Sequence, residues 1–435
     1  MSMIKSETIK SKAISEVFFE QTQKYESKGL TKNFLILENE TLTYSDISTL
    51  CRKFIFSYKE QKLEQNDFYI LSSNPKIIIV SYLALNYMNK NVHITADNVR
   101  PILLDLQEKE NNSNLIYIVE KVEEKKSNKY RTFAELLSDT PYSFSKEEIN
   151  MDRTSALVQF TSGTSGTPKR IIRTKSSCYI EALDLVNVWE IDESSKVACF
   201  LPLTYSFAFG NVVVASIIAG ATIISCNSFN IKNVIPLLVD NQASHFVTVV
   251  SIIKLLLIQK NKQKLSFLKH LICSGSKIEI KDARKFKKKF KINVAEQYGM
   301  TETGSLLYSY KVGKYFTGVF PSVEIELKND ILYVFRKNCD IPQVKTNDYA
   351  KILKNNGVRI IGRADGVLKL DDKRYSVAYI ESLFQKDDYL TLAKQIIGQK
   401  KIEIPFNKEN KKAALEVIKK LKQLDSSIRI VKKHI

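Results

Sequence analysis

Thr161-Ser162-Gly163-Thr164-Ser165-Gly166-Thr167-Pro168-Lys169 is the stretch whose reading decides the fold. It follows the apolar, strand-like run Ala156-Leu157-Val158-Gln159-Phe160 and gathers hydroxyls, two glycines and one lysine into nine residues. Such a segment can wrap a polyphosphate: glycines let backbone N–H groups come close, hydroxyls add donors, and the lysine brings a mobile positive charge. A Walker A loop would need Gly-Lys followed by Ser or Thr. Here Pro168 precedes Lys169 and Arg170 follows it, so that kind of nucleotide site is excluded.

Outward from this loop, the pattern alternates strand and helix. Upstream, residues 5–28 and 44–62 read as amphipathic helices with a hairpin at 34–43 between them. A strand at 67–71, a helix at 76–89 and strands at 91–94 and 115–119 follow, with a helical run at 100–109. The charged stretch 120–129 reads as a surface loop. Downstream, helices at 177–188 and 211–219 alternate with strands at 196–200, 221–226, 244–250, 268–274 and 291–297. Alternation of this kind implies a mainly parallel sheet with covering helices, an α/β class. Short strands at 323–328 and 331–335 mark a β-rich subdomain within 311–344.

The 435 residues are long for one core, so two or three domains are expected. Hydrophobic residues at 44% and charged residues at 26% fit a globular protein. The longest apolar stretches, such as 212–221, are too short to span a bilayer, and residues 1–12 hold no signal-peptide core. A cytoplasmic location is the expectation. Six cysteines without a Cys-x-x-Cys pair and only four histidines argue for buried reduced thiols over zinc or disulfides. The net charge of +19 is concentrated in lysine runs such as 281–291, where Phe286 and Phe290 mark one face of a helix. A solvated helix face, or a surface for an acidic carrier protein or CoA, accounts for it. No aromatic-basic module accompanies the charge, so nucleic acid is not an expected partner.

Five ordered motifs between about residues 40 and 381 resemble the adenylate-forming ligases, the superfamily of acyl- and aryl-CoA synthetases, peptide-synthetase adenylation domains and beetle luciferase. The first is the Thr161 to Lys169 loop. Leu201-Pro202-Leu203-Thr204-Tyr205-Ser206-Phe207 is similar to the segment lining the acid pocket, and Ser274-Gly275-Ser276 to a turn beside the adenine. Gln297-Tyr298-Gly299-Met300-Thr301-Glu302 matches Tyr-Gly-x-Thr-Glu. Last come Thr346-Asn347-Asp348 and the hinge-like Gly362-Arg363-Ala364-Asp365-Gly366-Val367-Leu368-Lys369.

The resemblance implies roles. Thr161, Ser162, Gly163, Thr164, Ser165, Gly166 and Lys169 would hold the triphosphate, and Thr301 the α-phosphate. Glu302 would hold Mg²⁺, a hard cation suited to carboxylate and phosphate oxygens. Ser274, Gly275, Tyr298 and Gly299 would frame the adenine, and Asp348 the ribose with Arg363 nearby. Asp365 would act as the hinge, and Lys369, at the end of the hinge motif, would join the cofactor-binding residues; Tyr205, Phe207 and Met300 would line the acid pocket. Lys169, Thr301 and Glu302 are the candidate catalytic residues: a carboxylate and the α-phosphate of ATP repel, so the site must neutralise charge and align the pair. The expected fold is a large domain, residues 1–362, of parallel-rich sheets with covering helices and a β-rich subdomain, then a small, shortened α+β domain, 363–435.

The expected reaction is ATP-dependent activation of a carboxylic acid to an acyl-adenylate, then transfer to a thiol of CoA or carrier-protein phosphopantetheine. The chain also departs from the pattern. Asn347 replaces a glycine, a mild change because asparagine tolerates left-handed backbone angles. Asp372 stands where the family has a glycine beside the pantetheine arm, where a charge would narrow the channel. The Gly-Lys pair that carries the family's C-terminal catalytic lysine has no match in the 54 residues after Glu381. Two other readings therefore stay open: a catalytically impaired nucleotide- or acyl-adenylate-binding protein or scaffold, and an amino-acid-activating domain. The run Tyr205-Ser206-Phe207-Ala208-Phe209 lacks the aspartate that usually holds an α-amino group, which leans towards an acyl or aryl acid.

Overall fold

A computed structural model describes residues 11–95, 115–121, 129–137, 156–161, 169–260, 263–339, 342–363, 367–370, 373–376, 402–406, 415, 419 and 430–434. The expected helix at 100–109, most of the loop 120–129, the phosphate-loop residues 162–168, and Asp365 and Asp372 lie outside these residues. The chain divides into two compact units, one of Met1–Glu324 with Phe335–Pro342 and one of Ile325–Val334 with Gln343–Ile435. This division by compactness falls before the hinge position at 362/363 that the resemblance suggests.

The first unit holds two sheets. In the six-stranded one, β3 (Asp67–Leu71), β4 (Asn91–Ile94), β5 (Leu115–Val119), β6 (Tyr130–Thr132) and β7 (Leu157–Thr161) run parallel, and β8 (Lys169–Arg173) closes the edge antiparallel to β7, in the order β6-β5-β3-β4-β7-β8. The nine-stranded sheet is built on a parallel centre of β1 (Asn33–Ile36), β9 (Lys196–Cys199), β10 (Thr222–Ile224), β11 (His245–Val249), β12 (His270–Ser274) and β13 (Ala295–Met300). Antiparallel strands finish both edges: β2 (Thr41–Thr43) at one, and β14 (Gly304–Ser309) with β15 (Gly318–Val319) at the other. The central parallel strands, such as β3, β5, β11 and β12, are largely apolar and buried, as strands covered on both faces must be.

Helices begin where capping groups allow. In α1 (Ile14–Ser27) the Glu16 side chain accepts the Ala13 N–H. A capping box of Thr43 and Asp46 starts α2 (Tyr44–Glu60), and Asn74 with Pro75 starts α3 (Pro75–Tyr87). The Thr174 hydroxyl accepts the Ser177 N–H to open α4 (Lys175–Val188). A second apolar core gathers α5 (Ile231–Asp240), α6 (Val250–Ile258) and α7 (Ile280–Phe290) against β11 and β12. In α7 only Ala283, Phe286 and Phe290 are buried, so its lysines form the expected solvated face. Lys289 is different: its ammonium reaches the Leu256 and Leu257 carbonyls at 2.8 and 3.0 Å and satisfies the end of α6.

Two elements differ from the sequence reading. The strand expected at 291–297 starts at Ala295 and runs to Met300, because Lys291 adopts φ +63° to end α7, which postpones the strand and carries Tyr298 and Gly299 into it. The helix expected at 211–219 starts earlier and is broken into Ser206–Ala208, a π-helical Phe209–Val214 and Ala215–Ala219. The Asn211 side-chain amide donates to the Phe207 carbonyl there at 3.0 Å. Four of the six cysteines are buried, Cys226 and Cys339 are half-buried, and all six are free.

The second unit combines antiparallel sheets with one parallel pair. β16 (Val323–Lys328), β17 (Ile331–Arg336), β18 (Val344–Ile352) and β19 (Val358–Arg363) form one sheet in that order. β20 (Val367–Leu370) pairs antiparallel with β21 (Lys373–Ser376), and β22 (Ile402–Phe406) parallel with β23 (Ile430–His434).

Candidate active site

In the first unit the candidate residues collect at strand ends. Thr161, the last residue of β7, is the register partner of Lys169, the first of β8, so the two ends of the phosphate loop face each other across an antiparallel pair. Lys169 is exposed. Ser274 ends β12 and is buried, and Gly275 continues at φ +85°, a left-handed value that favours glycine. β13 and β14 are joined by the turn Thr301-Glu302-Thr303, closed by the Thr303 N–H donating to the Met300 carbonyl at 3.3 Å. Gly299 is required beneath this turn: a Cβ there would lie 2.5 Å from the Gly304 carbonyl oxygen.

The turn is held from behind. Thr301 Oγ1 lies 3.2 Å from Ser206 Oγ, and its carbonyl accepts from Arg173 Nη1 at 3.4 Å. Arg173, on β8, donates through Nη2 to the Glu181 carboxylate at 2.7 Å and through Nε to Ser177 Oγ at 2.7 Å. Glu181 in turn accepts from the Ser305 N–H at 2.7 Å and from its hydroxyl at 2.9 Å. The Gln297 amide donates to Ser305 Oγ at 2.7 Å, and the Trp189 indole N–H donates to Gln297 at 3.0 Å. The Arg336 guanidinium reaches the Ser305 carbonyl, Asp184 and Ser322. Burial works against the charge on Glu181, but Arg173 and Arg336 beside it hold its carboxyl below the usual range. For Asp184 burial wins over Arg336 and the Ser322 hydrogen bonds, and its carboxyl is pushed up.

Glu302 is half-buried on the same turn and has no hydrogen bond or ion pair among the described residues. Its chemistry suits Mg²⁺ if phosphate oxygens supply the remaining ligands. Among the described residues, no cluster of three or more His, Cys, Asp or Glu could hold a metal by itself. Tyr298 is half-buried, its ring 6.0 Å from that of Phe316. Tyr205 is 46% exposed, and Phe207 and Met300 are half-buried. A small cavity with room for about one water lies behind Ser206, lined by Gln159, Arg173, Glu181, Phe209 and Gly210.

In the second unit Asp348 is buried and its N–H donates to Thr346 Oγ1 at 3.0 Å. Asn347 adopts φ +60°, the left-handed backbone its replacement of glycine demands. Asp348 and Arg363 are register partners on β18 and β19, with Nη1 to Oδ2 at 4.0 Å, and Arg363 also donates to the Thr346 carbonyl at 3.4 Å. Lys369 lies on β20.

Sequence reading missed Arg173, Glu181, Ser305 and Arg336. A signal existed for one of them, Glu181. Ser177, Glu181 and Asp184 recur at helical spacing on a face shared with Cys178, Ala182 and Leu185, and carboxylates on a buried face demand cationic partners.

Residues 55–331 match the family model described as AMP-binding enzyme. The 2-succinylbenzoate–CoA ligase of Bacillus licheniformis is 27% identical over 37% of this chain and 32% of its own length. Gramicidin S synthase 1 of Brevibacillus brevis is 19% identical over 89% of this chain and 39% of its own length. The chain thus spans about a third of the length of the curated relatives it matches, between 29% and 39%. The structure of o-succinylbenzoate coenzyme A synthetase from Bacillus subtilis, in complex with ATP and magnesium ion, superposes with a TM-score of 0.71 at 15% identity, covering 85% of this chain and 84% of that one. The mixed α/β architecture, with parallel-rich sheets and a separate antiparallel sheet, is that of the adenylate-forming ligases.

Proposed function

This chain belongs to the family of AMP-binding enzymes, and from that premise we propose that it activates a carboxylic acid with Mg·ATP. The acid's carboxylate oxygen attacks the α-phosphorus, the bond to pyrophosphate breaks, and an acyl-adenylate forms. The acyl group then passes to the thiol of CoA or of a phosphopantetheine arm, with AMP leaving.

In this reading the Thr161 to Gly166 loop and Lys169 bind the triphosphate, and the Thr301 hydroxyl orients the α-phosphate for in-line attack. Glu302 holds Mg²⁺, which when bound neutralises charge on the phosphate oxygens. Ser274, Gly275, Tyr298 and Gly299 frame the adenine, while Asp348 and Arg363 take the ribose hydroxyls. Tyr205, Phe207 and Met300 line the acid pocket. Asp365 serves as the hinge, with Lys369 beyond it, dividing a functional N-terminal part, 1–362, from a C-terminal part, 363–435. A basic surface suits an acidic carrier protein as acyl acceptor.

The observation that carries the reading is the Thr301-Glu302 turn. Its backbone is fixed by Arg173 and the Thr303 N–H, and Glu302 stands beside it without a partner among the described residues. A preorganised hydroxyl beside a carboxylate is what charge stabilisation at phosphorus requires. Mass spectrometry after incubation with Mg·ATP and pooled fatty, aryl and amino acids, with and without CoA, tests it. An acyl-adenylate names the acid, and a thioester names the acceptor. Bound ATP with neither AMP nor adduct from any acid refutes the reading.

An amino acid is the second candidate substrate, favoured by the gramicidin S synthase 1 match along 89% of this chain. The absence of an acidic residue from Tyr205 to Phe209 favours an acyl or aryl acid instead. The same pooled incubation separates the two.

A further inference from the structure

We propose that Arg173 and Glu181 are positioning residues, a buried ion pair that ties the phosphate-loop strand β8 to the Thr301-Glu302 turn and the head of β14. The proposal rests on the reading that these two segments hold Mg·ATP.

β8 begins at Lys169 and ends at Arg173, and residues i and i+4 of a strand point to the same face. One end of that face presents an exposed lysine; the other buries a guanidinium that is 4% exposed. Arg173 stands on the six-stranded sheet, whereas Thr301 and Ser305 belong to the β13–β14 hairpin of the nine-stranded sheet. Glu181 on α4 is the intermediate, 2.7 Å from Arg173 on one side and 2.7 Å from the Ser305 N–H on the other. The Thr301 carbonyl closes the loop by accepting from Arg173 directly. One guanidinium therefore fixes, in a single rigid fork, the backbone of the turn and the carboxylate that holds the strand after it.

The space around the pair confirms that it is tightly framed. Gly304 adopts φ +77°, and a Cβ there would overlap the Glu181 carboxylate, so the turn is seated directly on that group. Arg336 adds a second cation at the Ser305 carbonyl, so the N–H, carbonyl and hydroxyl of Ser305 all have charged partners. Two uncharged side chains would have filled the same space. A charged pair adds directional bonds to backbone atoms two residues before and one after the Thr303-Gly304 step, the Thr301 carbonyl and the Ser305 N–H.

The test compares wild type, Arg173→Met/Glu181→Leu and Glu181→Gln by denaturant unfolding, native-state hydrogen exchange of the 298–309 segment, and Mg·ATP affinity by calorimetry without acid. Replacing a buried pair by apolar groups is often neutral for stability. The double variant is therefore expected to unfold near the wild-type midpoint, yet to exchange amides 301–305 about tenfold faster and to bind Mg·ATP about fivefold more weakly. Wild-type exchange and affinity in the double variant would reduce the pair to packing and overturn the proposal. If that variant does not fold, Glu181→Gln decides in the same way, because it keeps the shape and the Ser305 acceptor while removing the charge that holds Arg173. A wild type that binds Mg·ATP without activating any acid would defeat the proposed reaction and leave this one standing. A wild type that binds no nucleotide would still show the strut in its exchange.

Discussion

The Thr301 turn and the Asp348–Arg363 pair are both carboxylate–arginine arrangements, built to opposite standards. At the turn, Arg173 and Glu181 meet at 2.7 Å with side chains 4% and 7% exposed. On β18–β19, Arg363 and Asp348 stand 4.0 Å apart, and the arginine side chain is 52% exposed. The first is a closed polar network that fixes backbone. The second is placed by the strands themselves, through the Thr346 hydroxyl and the left-handed Asn347, and leaves its arginine side chain about half exposed. In the proposed reaction the turn faces the phosphorus, where small displacements cost rate. The hairpin is assigned in the same proposal to the ribose, where hydrogen bonds only secure binding.

That contrast can be broken by mutation. Arg173→Met leaves Glu181 buried without its nearest cation and is expected to destabilise the protein by about 3–5 kcal/mol, read as a fall in the denaturant midpoint. A loss under about 1 kcal/mol would show that the network is not the turn's anchor. Next in size, Glu302→Ala should lower acid-dependent ATP use on the order of a hundredfold with little change in unfolding. Unchanged turnover removes Glu302 from the site.

A pH experiment sharpens the picture of the same hairpin. Glu296, on β13, is pushed up to about 7 by burial, against the opposing pull of Lys277 and the Ile278 N–H. A carboxyl whose folded value is raised contributes stability that is complete below its unfolded value and is lost as pH rises through about 7. Glu296→Gln should therefore gain about 2–3 kcal/mol over wild type at pH 8.5 and little at pH 5. Parallel pH profiles for the two proteins would contradict the burial argument. The smallest effect is expected from Arg363→Ala: less than about 1 kcal/mol in stability, because the arginine side chain is 52% exposed, with nucleotide affinity a few-fold weaker. A large loss of stability would erase the distinction between the two regions.

Legibility followed chemistry that is local in sequence. Strands 67–71, 91–94 and 115–119 fall where the apolar runs put them, and the Tyr298 to Glu302 and Thr346 to Asp348 motifs announce themselves by residue type. Thr161 ends the strand expected before the phosphate loop, whereas β8, which brings Lys169 into register with it, is not among the strands expected from sequence. What stayed hidden was set by packing over long separations. Arg173 meets Thr301 across 128 residues, and Arg336 meets Asp184 across 152. Nothing near Arg173 in sequence names its partner, although a carboxylate at the buried spacing of α4 shows that one must exist. The π-helical Phe209–Val214 was equally unreadable, because its apolar residues fit an ordinary helix.

Pyrophosphate exchange is the most direct test of the proposed activity. The chain is incubated with Mg·ATP, labelled pyrophosphate and pooled carboxylic acids, and label is followed into ATP. Acid-dependent exchange that disappears in Glu302→Ala is the expected result, since formation of an acyl-adenylate is reversible and needs no thiol. Nucleotide binding without exchange for any acid would contradict the account.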